Sequence, residues 1–69
     1  DEKLFFRVVK AGFAAKRKKL RSSLAGGLQK SKEEAESLLE QAGISAEKRA
    51  QDLSIHEWIT LMNVVAPTL

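Results

Sequence analysis

Four consecutive cations, Lys16-Arg17-Lys18-Lys19, followed by Leu20-Arg21-Ser22-Ser23-Leu24, are the residues whose types and spacing are suited to chemistry in this chain. That chemistry is electrostatic. Ammonium and guanidinium groups at this density neutralise phosphates and release the counterions condensed on a nucleic acid. Lys10 and Arg7 extend the run toward the start of the chain. The wider charge is lopsided: residues 1–30 hold nine Lys/Arg and two Asp/Glu, a net of +7, and residues 31–69 hold three and seven, a net of −4. The overall +3 therefore hides a cationic half, and nucleic acid is the leading candidate partner. No regular base-reading code accompanies the run, so recognition of backbone and shape is expected. This reading requires the cations to project outward along one side of the domain rather than onto acids of the same chain.

The remaining polar residues offer little else. The chain has one His and no Cys, which excludes a disulfide scaffold, a thiolate metal site, a multi-histidine metal site and a cysteine nucleophile. His56 has no partner acid or nucleophile in its pattern and reads as a partly exposed structural residue. Ser22 and Ser23 are hydroxyls without a neighbouring base, suited to satisfying backbone groups or touching phosphate. Arg49 reads as a helix-end cation near Asp52, with phosphate contact as its alternative. Gly26-Gly27 lacks the flanking strand and further spacing of a phosphate loop. No catalytic residue and no metal ligand is expected.

Sixty-nine residues make one small domain, and its mix of 43% hydrophobic and 30% charged residues is that of a globular chain. No apolar stretch approaches the roughly 20 residues needed to span a bilayer. Asp1-Glu2-Lys3 lacks a secretory signal and an initiator Met, so the chain reads as an excised domain.

Periodicity predicts an all-α fold of four or five short helices. The first runs from Asp1 to about Ala15, with Leu4, Phe5, Val8, Val9 and Phe13 on one face and Phe6 beside it. The second runs from Lys16 to Leu24, with Leu20, Leu24 and Leu28 sharing a face and cations on the others. Gly26-Gly27 is expected to end it and to open the one flexible joint, Gly26–Lys30. Ser31 and Glu34 form a capping box ahead of Ala35, Leu38, Leu39 and Ala42, and Gly43-Ile44 closes that helix. A short turn is expected from Ser45 to Arg49 or Ala50, broken by Gln51-Asp52. Ser54 and Glu57 form a second capping box, with Leu53 and Trp58 as a hydrophobic staple. The last helix, Ile55 to about Val65, is expected to bury Ile55, Trp58, Ile59, Met62 and Val65 before Pro67.

Two blocks of residues resemble a known family. One is Phe13-Ala14-Ala15-Lys16-Arg17-Lys18-Lys19-Leu20-Arg21-Ser22-Ser23-Leu24, preceded by Val8-Val9-Lys10-Ala11. The other is Gly43-Ile44, Arg49-Ala50-Gln51-Asp52-Leu53-Ser54, Leu61 and Asn63. Their order and spacing, over residues 4–63, resemble the C-terminal helical domain of the ribosomal RNA adenine dimethyltransferases. The chain departs from that pattern at Lys19, Ser22 and Gln51, where the family often has Thr and usually has Asn and Glu.

The resemblance implies a parent enzyme that uses S-adenosylmethionine to dimethylate two adjacent adenines near the 3′ end of small-subunit ribosomal RNA. It implies that residues 1–69 are a single C-terminal helical domain, without the Rossmann-like catalytic domain and catalytically silent alone. The expected partners are small-subunit ribosomal RNA in the immature subunit and the parent's own catalytic domain. The expected setting is a cytoplasmic monomer with no membrane association. Expected RNA contacts are Lys10, Lys16, Arg17, Lys18, Lys19 and Arg21, with Arg7, Ser22 and Arg49 as secondary contacts.

Two other classes fit parts of the pattern. Leu38–Leu61 has the order of a helix-turn-helix DNA reader, although Ile55–Val65 carries no Lys or Arg to reach base edges. A module that packs on a catalytic domain without touching RNA is the other.

Overall fold

The apolar spacing at the start of the chain becomes helix α1, Glu2–Phe13. It is followed by α2 (Leu20–Leu28), α3 (Lys32–Gln41) and α4 (Ile55–Val65) in a computed structural model that describes residues 2–15 and 17–69. Two 3-10 turns, Ala50–Asp52 and Ala66–Thr68, flank α4. The described residues contain helices and no strand, as the periodicity predicts. Helix α1 packs on α2 and α4, and α3 packs on the same two partners. Val8, Leu20, Leu24, Leu39, Leu61 and Val65 fill the middle and are fully buried.

Helix α2 differs from its expected course at both ends. It starts at Leu20, so Arg17, Lys18 and Lys19 lie on the connection from α1 rather than on a helix. The backbone bonds explain the late start. The Lys18 amide donates to the Ala15 carbonyl at 2.8 Å, closing a turn. The Leu20 amide donates to the distant Lys48 carbonyl at 2.7 Å. Consecutive like charges also disfavour a helix by crowding neighbours three and four residues apart.

Gly26 and Gly27 do not end α2, and the expected joint at Gly26–Lys30 is helical through Leu28. Gly27 is present for packing: a Cβ there would lie 2.5 Å from the Ala11 Cβ and 2.6 Å from the Ala11 Cα. The helix ends one residue later, on Gln29, in the left-handed region with φ 56°. The Gln29 and Lys30 amides donate to the Gly26 and Ala25 carbonyls at 3.4 and 2.8 Å, the pattern of a Schellman motif.

Helix α3 follows its local signals. Ser31 accepts from the Glu34 amide at 3.1 Å. The return half of the box differs, because the Glu34 carboxylate receives the Ser31 hydroxyl at 3.3 Å while Lys30 approaches its other oxygen at 3.9 Å. Gly43 takes φ 73° and Ile44 folds back into the core, its amide donating to the Leu39 carbonyl at 2.9 Å. The turn expected from Ser45 is present, the Lys48 amide donating to the Ser45 carbonyl at 3.2 Å, and Gln51-Asp52, expected to break it, form a second turn of their own at Ala50–Asp52.

Helix α4 has the full reciprocal cap. Ser54 Oγ accepts from the Glu57 amide at 3.2 Å and Glu57 Oε1 accepts from the Ser54 amide at 3.0 Å. Its buried stripe is Trp58, Leu61 and Val65, with Met62 half-buried. Ile55 and Ile59, expected inside, are exposed, because α1 and α3 close over the Leu61 side of the helix.

Candidate nucleic-acid interface

The cations fall into two sets. Arg7 and Lys10 are exposed on the face of α1 turned away from Val8 and Gly12. Arg17 and Lys18 are exposed on the connection that follows. None of these four has an ion-pair partner among the described residues. Lys16 lies outside the described residues.

Lys19 and Arg21 form the second set and are held by acids. Lys19 Nζ pairs with Glu47 Oε2. Arg21 Nη1 lies 3.5 Å from Glu47 Oε1 and its Nε lies 3.7 Å from Glu36 Oε1. The backbone bond from Leu20 to Lys48 brings these segments together, and the Glu47 amide donates to Ser45 Oγ at 3.2 Å. The hydrogen bond from Lys19 holds the Glu47 carboxyl below its usual pKa. Glu47 escaped sequence reasoning because it is 26 and 28 residues from its partners, with no local signal to join them.

The two serines separate as well. Ser23 is buried, and its single hydroxyl proton is shared between the Ala11 and Gly12 carbonyls at 2.9 and 2.7 Å while its oxygen accepts from the Ala15 amide at 3.0 Å. It caps the end of α1 from inside α2. Ser22 is half-buried at the edge of the basic segment. Arg49 is exposed. Asp52 accepts from its backbone amide at 3.0 Å instead of pairing with its guanidinium.

The aromatic residues divide between packing and exposure. Phe13 stacks on Trp58 with centroids 5.7 Å apart, although the edge of Phe13 is open. Gly12 lies under that ring: a Cβ there would meet Trp58 Cη2 at 2.5 Å. Phe6 is 69% exposed and, with Phe5, Ile59, Met62 and Glu2, lines an open groove of about 560 Å³ between α1 and α4. His56 is exposed, and its carbonyl accepts from the Thr60 hydroxyl at 2.9 Å.

Among the described residues no group of His, Cys, Asp and Glu is arranged to hold a metal ion. Nor do these residues fit S-adenosylmethionine. A nucleotide-like cofactor rests on a strand, a glycine turn and a helix N-terminus. Here Gly12, Gly26 and Gly27 lie inside helices and Gly43 closes one. No described helix is long and apolar enough to cross a membrane.

Fold and site thus define a small all-α module with four exposed cations, Arg7, Lys10, Arg17 and Lys18, that pair with no acid among the described residues, and a second pair, Lys19 and Arg21, held by acids. The chain is 46% identical to the ribosomal RNA small subunit methyltransferase A of Desulfitobacterium hafniense over 68 residues, which is 99% of this chain and 24% of that protein. The protein of that name from Bacillus cytotoxicus is 43% identical over 70 residues, covering 97% of this chain and 24% of its own length. That from Dehalococcoides mccartyi is 46% identical over 54 residues, 78% of this chain and 19% of its own length. The chain is thus similar over nearly its whole length to these ribosomal RNA small subunit methyltransferases, and it spans about a quarter of the length of the curated relatives it matches. No family model matches the chain, and no solved structure matches it.

Proposed function

We propose that this chain is the RNA-docking domain of an S-adenosylmethionine-dependent ribosomal RNA adenine dimethyltransferase. In this reading the parent enzyme dimethylates two adjacent adenosines near the 3′ end of small-subunit ribosomal RNA. The helical domain contributes no catalytic group; it binds the immature small subunit as a cytoplasmic monomer and orients the catalytic domain. The observation that carries the reading is that four cations, Arg7, Lys10, Arg17 and Lys18, are exposed and none is paired to an acid among the described residues. Their partners are phosphates, so affinity falls steeply with salt and depends little on sequence. Lys16 belongs to the same run, and Ser22 and Arg49 serve as secondary contacts.

The test is binding of a small-subunit ribosomal RNA fragment to the wild-type chain and to Arg17→Glu/Lys18→Glu. Loss of binding to all RNA sequences alike is expected. Undiminished binding by the variant at low salt overturns the reading.

The exposed groove favours a second role that is compatible with the first. Phe6, Ile55 and Ile59 give the α1–α4 side an apolar face, which suits packing against the catalytic part of the parent. Replacing Phe6 and Ile59 by Ser would then weaken association with the catalytic part supplied as a separate polypeptide while leaving RNA binding intact. Unchanged association would remove this role. The helix-turn-helix reading gains no support, because α4 carries no cation.

A further inference from the structure

The acids that hold Lys19 and Arg21 divide the basic surface into one part open to any polyanion and one part already occupied. We propose that Lys19 and Arg21 form a phosphate subsite in which the Glu47 carboxylate stands in for a phosphate of the RNA, so that binding there requires Glu47 to leave. This inference rests on the RNA-docking reading and assigns Glu47 as a specificity residue within it.

The geometry supports exchange rather than a fixed structural bridge. One carboxylate meets two cations at the α2 start: Oε2 takes the Lys19 ammonium and Oε1 takes the Arg21 guanidinium at 3.5 Å. Two anionic oxygens on one central atom, bridging two cations, is also the arrangement a phosphodiester offers. All three side chains remain reachable, with 47% of Lys19, 30% of Arg21 and 60% of Glu47 exposed. Exposed pairs of this kind are weak, so a phosphate that brings its own counterion release can displace the carboxylate. Glu47 sits on a tight turn, its amide bonded to Ser45 Oγ, so the carboxylate can swing away while the backbone stays anchored through Leu20 and Lys48.

Occupancy has a consequence for selectivity. A stray polyanion meets only the open cations, whereas RNA that places a phosphate between Lys19 and Arg21 gains two further contacts after displacing the acid. Glu36 holds Arg21 at 3.7 Å from its other side and makes a smaller contribution to the same restraint.

The experiment compares wild type, Glu47→Gln, Glu36→Gln and Glu40→Gln by the salt dependence of their affinity for the ribosomal RNA fragment. Glu40 is exposed on α3 without an ion pair among the described residues, so its variant changes net charge by the same amount without freeing Lys19 or Arg21. Glu47→Gln is expected to bind about three- to fivefold tighter at low salt, the scale of one exposed ion pair. Its slope of log affinity against log salt steepens by roughly one to two. Glu36→Gln should show a smaller gain and Glu40→Gln none. A Glu47→Gln variant indistinguishable from wild type, or a Glu40→Gln variant that gains as much, overturns the subsite. Helicity measured in parallel confirms that the variants fold. Loss of binding in Arg17→Glu/Lys18→Glu together with an inert Glu47→Gln would defeat the subsite alone; binding that survives the double charge reversal would defeat the docking reading itself.

Discussion

The first half of the molecule and the second are built by different means. Helices α3 and α4 begin on Ser residues whose hydroxyls accept from amides three residues ahead, and α3 ends on a glycine with φ 73°. Each signal lies within a few residues of the bond it makes. Helices α1 and α2 are fixed by contacts between segments far apart in the chain. Ser23 caps the end of α1, Lys48 receives the first amide of α2, and Gly27 lets Ala11 approach. A short helix obeys its own sequence when its ends are locally capped, and obeys its neighbours when they are not.

The largest expected effect breaks this comparison at the core. Leu61→Ala should cost about 2–5 kcal/mol, because Leu61 is fully buried and the cavity closes only in part. Ile59→Ala, at a position whose spacing suggests burial, should cost well under that, because Ile59 is 42% exposed. Denaturant unfolding of the two variants checks the pair, and equal losses would contradict the observed rotation of α4.

The glycine pair follows. Gly27→Ala should destabilise by about 1–3 kcal/mol, since the new methyl meets backbone as well as side chain of Ala11. Gly26→Ala should stabilise by roughly 0.5–1 kcal/mol, since its Cβ meets nothing within 4 Å and the residue is helical. Opposite signs from adjacent glycines, read from thermal unfolding, would confirm that one serves packing and the other is a helix weakness.

The serines give a third contrast. Ser23→Ala should cost about 1–3 kcal/mol by removing the partner of the Ala15 amide and of the Gly12 carbonyl, the Ala11 carbonyl keeping the Ala14 amide at 3.3 Å. Ser22→Ala should be close to neutral in stability.

These contrasts show which features the sequence exposes. The Ser54–Glu57 capping box, the Ser31 cap without its return bond, the Gly43-Ile44 closure, the Leu20-Leu24-Leu28 face and the all-α class all rest on local spacing, and the structure contains them. The course of α2 does not follow from spacing, because a glycine that ends a helix and one that admits a neighbouring backbone look alike in sequence. The basic site divides in the same way. The run Lys16–Lys19 is plain in the chain, but the capture of Lys19 and Arg21 by Glu47 requires a fold that joins residues 20 and 48.

The smallest expected effect concerns pH. The Ser54 amide, followed by the Lys48 ammonium at 3.0 Å, holds the Glu57 carboxyl below its usual pKa. A carboxyl whose pKa is lowered on folding contributes stability above its unfolded pKa and loses that contribution as pH falls through the folded value. Glu57→Gln should therefore differ from wild type at neutral pH and approach it at the acid end of the carboxylate range. Thermal midpoints measured against pH test this, and a gap that widens toward acid would contradict the cap.

The most direct test of the docking cations is the slope of log affinity against log salt for a small-subunit ribosomal RNA fragment. If Arg7, Lys10, Arg17 and Lys18 each meet a phosphate, the slope should be roughly −3 to −4 and should flatten by about 2 in Arg17→Gln/Lys18→Gln. A slope near zero, or one that the double substitution leaves unchanged, would contradict the role assigned to these cations.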